Sequence, residues 1–175
     1  LHDALTGLPN RASLLGRLSL ALRRYREDRS RIFAVLFLDL DRFKVVNDSV
    51  GHLVGDDLLI EAGRRISSCM RAPDTVARLG GDEFTILLED IHGVEDATHV
   101  AMRVLASLVD PIRIGDKEIY TSASIGIALA DPRYTNAEEL LRDADVAMYR
   151  AKSRGRQRYE LFDQTLHEAA LHVLD

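Results

Sequence analysis

The chain has 175 residues, 46% of them hydrophobic and 29% charged, with a formal net charge of −5. That size and balance fit one globular domain and exclude a collagen-like, solenoid or wholly disordered chain. A net-acidic domain has no broad basic face for DNA or RNA, so a phosphate-bearing ligand would need a local basic cluster or a metal. The longest purely apolar run, Ile32 to Leu38, is far too short to span a membrane. The one cysteine, Cys69, allows no internal disulfide, as expected of a reducing cytoplasm. Residue 1 is Leu and no secretory pattern follows it. The expectation is a cytoplasmic segment of a longer protein, whose other parts could anchor it to a membrane.

Pro9 and Asn10 open the first element, and Leu14, Leu15, Leu18 and Leu22 recur at helical spacing, predicting a helix over about 10–28. Ile32 to Leu38 then reads as a central strand covered on both faces, stopping at Asp39-Leu40-Asp41. Val54, Leu58, Leu59, Ala62, Ile66 and Met70 mark a helix over about 53–71. Two strand-like runs, 75–79 and 84–89, flank Gly80-Gly81-Asp82-Glu83 and predict a hairpin. A helix over 95–109 and a strand over 117–130 follow. Thr135 or Asn136 with Glu138 or Glu139 gives a capping box for a helix carrying Leu140, Leu141, Ala144, Ala147, Met148 and Ala151. This order predicts an α+β (α/β) sandwich with a mixed central sheet, best met by a ferredoxin-like split βαβ arrangement.

Asp39 and Asp41 differ by two, so on a strand they share a face while Leu40 points away. Asp82 and Glu83 sit at a hairpin tip where Gly80 and Gly81 permit positive φ and remove bulk. If the hairpin lies beside the central strand, Asp39, Asp82 and Glu83 converge. Three carboxylates would repel one another unless a cation joined them, which points to Mg²⁺ and phosphoryl-transfer chemistry. Arg150, Lys152, Arg154, Arg156 and Arg158 form a basic cluster able to hold a triphosphate opposite the metal. No P-loop, no Rossmann glycine pattern and no zincin spacing is present.

Gly80-Gly81-Asp82-Glu83-Phe84 spells GGDEF, and four further motifs accompany it. They are Asp3-x-Leu5-Thr6-Gly7-Leu8-x-Asn10-Arg11, Asp39-x-Asp41-x-Phe43-Lys44-x-x-Asn47-Asp48, Gly51-His52-x-x-Gly55-Asp56 and Ala151-Lys152-x-x-Gly155-Arg156. In order and spacing the set resembles the GGDEF family of diguanylate cyclases over about residues 1–162. The resemblance implies a palm-like nucleotidyl-cyclase fold and the condensation of two GTP into cyclic di-GMP across a homodimer. It implies two Mg²⁺ per site, with Mn²⁺ as a substitute, held by Asp39, Asp82 and the Leu40 carbonyl. Glu83 would contact the second metal and help deprotonate the 3′-hydroxyl. Asn47 and Asp56 would read guanine, with His52 close by. Phe43 and Lys44 would lie along the phosphates, and Lys152 and Arg156 would hold the β- and γ-phosphates. Arg71-Ala72-Pro73-Asp74 resembles the family's RxxD motif, where Arg71 and Asp74 would bind cyclic di-GMP as an inhibitor. Gln157 stands where the family often has Asn.

Two other readings compete. A GGDEF module could bind GTP or cyclic di-GMP without turnover and regulate a neighbouring domain, but no motif carboxylate has been lost. A response-regulator receiver would need regular βα alternation, which the hairpin contradicts. Residues 163–175, with Leu166, Ala169, Ala170, Val173 and Leu174, resemble a connector helix leading to an EAL phosphodiesterase domain. A sensory segment is expected before residue 1.

Overall fold

The structure is a computed structural model that describes residues 1–163. The expected connector helix lies outside the described residues. β1 (Ile32–Leu40) is the middle strand of a five-stranded sheet. Its side chains alternate between two cores, as period-two geometry demands. Ala34, Leu36, Leu38 and Leu40 enter one core; Phe33, Val35 and Phe37 enter the other. Burial on both faces is why this run carries no polar residue before Asp39.

The first core is closed by α3 (His52–Ser68) and α4 (Val94–Ser107), the second by α1 (Arg11–Glu27) and α5 (Ala137–Ser153). Asn10 caps α1 by accepting from the Ser13 N–H, and Asn136 with Glu139 forms a complete capping box on α5. The sheet order is β2-β3-β1-β6-β7, with β2 (Thr75–Gly80), β3 (Glu83–Ile91), β6 (Ala123–Leu129) and β7 (Arg158–Leu161). β2, β3, β1 and β6 are antiparallel neighbours, and β7 adds to β6 in parallel. Without β7, this is the expected split βαβ topology. Among the described residues no helix is long and apolar enough to cross a membrane.

Four details depart from expectation. Residues 43–50 form a short helix, α2 (Phe43–Val50), which starts from Arg42 in the left-handed region at φ 57°. The strand expected over 117–130 is two strands broken at 120–122: β6, and β5 (Lys117–Ile119), which pairs instead with β4 (Ile112–Ile114). Ile112 and Ile119 from that small hairpin cover Leu58 of α3. β7 begins at Arg158, the last residue of the basic cluster, and the cluster is not one patch: Arg154 and Arg158 both pair with Glu160 of β7. Helix ends differ from expectation by one to three residues, as fraying termini do.

Candidate active site

The antiparallel register of β1 and β3 places Asp39 opposite Glu83, and the Leu40 N–H donates to the Asp82 carbonyl at 3.2 Å. Gly80 and Gly81 turn the hairpin at φ 145° and 50°, values that side-chain-bearing residues rarely adopt. The tip acids are thereby folded back against the end of the central strand. Asp39 continues the β1 face that looks toward α5, and there it meets the Lys152 ammonium, which pairs with Oδ2. Its other oxygen, Oδ1, is buried and accepts no hydrogen bond.

An acceptor left without a donor in a buried site is costly. Asp82 sharpens that imbalance. Burial pushes its carboxyl up, and the neighbouring Asp39 carboxylate adds to the shift, reaching about 7 despite the opposing Lys152 charge. Glu83 is also raised, by burial first and then by the charges of Asp39 and Asp145. Lys152 would be lowered by its own burial, but Asp39, Asp82 and Asp41 outweigh this and raise it. The site therefore holds more negative charge than its one lysine neutralises.

Among the described residues, no group of three or more acids, histidines or cysteines could hold a metal ion by itself. Mg²⁺ usually takes one or two protein carboxylates and completes its shell with water and substrate phosphate. Asp39 and Asp82, with a buried oxygen lacking a partner, fit that donor set. Asp41 does not belong to it. Asp41 is 7% exposed, accepting from the Ser122 and Ser124 hydroxyls at 2.6 Å and from the Gln157 N–H at 3.1 Å. It ties β1 to β6 and to the turn before β7.

Phe43 and Lys44 are the first residues of α2, and Arg42 places no capping side chain over them. The opening N–H groups of that helix are left for another acceptor, the usual setting for a phosphate. Arg156 stands at φ 64° in the turn beside Asp41 and Arg42. Asn47 of α2 and His52 of α3 meet, Nδ2 to Nδ1 at 3.0 Å, and Asp56 lies one turn further along α3. Arg71 and Asp74 are elsewhere, six residues along β3 from Glu83, or about 20 Å at strand rise. Arg71 donates to the Glu89 and Asp90 carbonyls, and Asp74 accepts from the Arg71 and Glu89 N–H groups. They border a surface hollow with Arg17 and Ser67.

Two contributors were not legible in the motifs. Asp145 faces the site from α5 and is raised by burial and by Asp39. Its spacing of seven from Lys152, two helical turns, was the available signal. Arg78 bonds the Asp3 carboxylate at 2.8 Å and the Gly81 carbonyl at 2.9 Å, fastening the hairpin tip to the N-terminal turn. A lone arginine in a strand gave no signal of this.

The family model for "Diguanylate cyclase, GGDEF domain" matches residues 1–158. Diguanylate cyclase TpbB of Pseudomonas aeruginosa is 49% identical over 156 residues, 89% of this chain and 36% of that protein. The bifunctional diguanylate cyclase/cyclic di-GMP phosphodiesterase MucR of the same organism is 47% identical over 174 residues, 99% of this chain and 25% of that protein. The crystal structure of the TpbB (YfiN) GGDEF domain superposes with a TM-score of 0.87 at 46% identity, covering 90% of this chain and 98% of that one. The chain thus spans about a third or less of these curated relatives. The motifs, the palm-like sheet with its acid-bearing hairpin and these likenesses agree: the chain belongs to the GGDEF diguanylate cyclase family.

Proposed function

We propose that this domain condenses two GTP into cyclic di-GMP, releasing two pyrophosphates. Each 3′-hydroxyl oxygen bonds to the α-phosphorus of the GTP on a facing subunit, and the bond from that phosphorus to pyrophosphate breaks. The observation that carries this reading is the convergence of Asp39, Asp82 and Glu83 at the end of β1, where the Asp39 Oδ1 is buried without a hydrogen bond. Asp39, Asp82 and the Leu40 carbonyl would hold Mg²⁺, and Glu83 would face a second ion. Bound there, the metal would neutralise phosphate charge and favour ionisation of the hydroxyl.

The protein's own groups supply the rest. Glu83 takes the hydroxyl proton; its raised affinity for protons suits a general base better than an ordinary carboxylate would. The N–H groups of Phe43 and Lys44 donate to phosphate oxygens at the start of α2. Lys152 exchanges Asp39 for a phosphate oxygen, and Arg156 joins it on the β- and γ-phosphates. Asn47 and Asp56 accept from guanine N1–H and the 2-amino group, donors that adenine lacks at that edge. Arg71 and Asp74 would bind cyclic di-GMP at the far end of the sheet and hold the subunits out of productive contact.

A regulatory module that binds nucleotide without turnover is the second reading. The Lys152–Asp39 ion pair favours it, because it occupies the carboxylate a metal would need. Incubation of the purified domain with GTP and Mg²⁺ or Mn²⁺ separates the two. Cyclic di-GMP with two pyrophosphates per product is expected. No product at high protein concentration, nor from a covalently linked dimer, would sink the cyclase reading and leave the regulatory one.

A further inference from the structure

Asn47 lies in a slot that α3 provides. Its Nδ2 meets the His52 Nδ1 at 3.0 Å. An amide nitrogen has only hydrogens to give, so the His52 Nδ1 is the acceptor in this contact. The carbonyl half of the amide is turned toward Gly55. A Cβ at Gly55 would stand 2.0 Å from the Asn47 Oδ1 and 3.0 Å from its Cγ. Gly55 is buried inside a helix, where glycine is a poor former. Its backbone is not in the left-handed region, so conformational freedom does not explain it; the missing side chain does. Gly16 of α1 is different, with nothing within 4 Å of its would-be Cβ.

We propose that Gly55 and His52 are positioning residues that fix the Asn47 amide, Gly55 by leaving the space and His52 by holding the nitrogen. The carbonyl oxygen is then the half left to accept from a guanine base. This inference rests on the guanosine-triphosphate reading above and adds how its base selectivity is built. A methyl group at Gly55 would collide with the movable end of Asn47 rather than with backbone. Gly55→Ala therefore evicts the amide and leaves the fold standing. The Phe43 Cζ, at 3.4 Å, makes only ordinary contact with that methyl.

The test is calorimetric binding of guanosine 5′-[α,β-methylene]triphosphate, whose α–β bridge cannot be cleaved. It is run on the wild type, Asn47→Ala, Gly55→Ala, the double variant and Gly16→Ala. Asn47→Ala and Gly55→Ala should each raise Kd about tenfold, with the double variant no weaker than about twice Asn47→Ala alone. Gly16→Ala should bind as the wild type does. Losses that multiply in the double variant, or a Gly55→Ala that binds like the wild type, overturn the inference and leave the reading of the site intact. A wild type that does not bind the analogue overturns both. Should Gly55→Ala fail to fold, exposed His52 carries the test. His52→Ala should weaken binding about threefold, and the effect should vanish in the Asn47→Ala background. Persistence there overturns the proposal.

Discussion

Asp82 makes the charge imbalance of the site measurable. Its carboxyl ionises near the ordinary 3.8 in the unfolded chain and near 7 in the fold, because burial and Asp39 both disfavour its charge. Between those values the folded state holds a proton that the unfolded state has lost. This contribution to stability therefore falls as pH rises from about 4, and is gone above about 7. In EDTA, Asp82→Asn should unfold at higher urea than the wild type at pH 8 and much less so at pH 4. The comparison must be between variants, because Glu83, Glu89 and Asp145 add the same sign while Asp3 and Glu61 oppose it. Mg²⁺ should stabilise the wild type at pH 8 and not Asp82→Asn. Equal midpoints for the two proteins at pH 8 would remove the Asp39–Asp82 repulsion from the account. Glu83 is tested differently. Glu83→Gln keeps the shape and removes the base, so cyclic di-GMP formation should fall at least about 100-fold while nucleotide affinity changes little. Kinetics alongside calorimetry reads both.

The elements differ in how plainly their sequences announce them. β1 was legible because burial on both faces forces an unbroken apolar run, and α1 and α5 because caps and periodicity agree. The hairpin was legible from its glycine pair. α2 was not: it has eight residues, none fully buried, and a left-handed arginine for a start. β4 and β5 have three residues each and owe their existence to covering Leu58, a tertiary fact no local pattern carries. At the site, the acids and their meeting point were legible because strand alternation fixes which face Asp39 takes. The capture of Asp39 by Lys152, and the diversion of Arg154 and Arg158 to Glu160, depend on where α5 and β7 pack. That packing has its own test. α5 lies so close to β6 that a Cβ on Gly126 would stand 2.0 Å from the Ala144 carbonyl oxygen and 2.2 Å from the Met148 nitrogen. Unlike the contact at Gly55, these are backbone atoms, so the helix itself must shift. Gly126→Ala should cost about 2 kcal/mol or more in urea unfolding. Because α5 carries Lys152, the displacement should also lower turnover in whatever fraction stays folded.

On the scale of the whole domain, the candidate site and the Arg71–Asp74 hollow occupy opposite ends of β3. Arg71 donates to the Glu89 and Asp90 carbonyls, at the end of β3 away from the acid cluster. Arg71→Ala should therefore leave the initial rate near the wild type's while relaxing inhibition by added cyclic di-GMP. An unchanged inhibition curve would dissociate Arg71 from that role. The same geography bears on how the ring is closed. Cyclic di-GMP contains two phosphodiester bonds, each joining the 3′-oxygen of one nucleotide to the phosphorus of the other. In the proposed mechanism one set of Asp39, Asp82 and Glu83 would serve one α-phosphate, so two domains would have to face each other for both bonds to form. Where most of the protein is monomeric, the dimer grows as the square of protein concentration, and activity per milligram grows in direct proportion to it. Initial rates measured over a hundredfold dilution series should rise linearly per milligram and then level off once dimers dominate. Sedimentation on the same samples locates the monomer–dimer midpoint, which should coincide with the bend in the rates. A constant specific activity across samples that sediment as monomers would mean that one domain closes the ring alone, and the facing-site mechanism would fail.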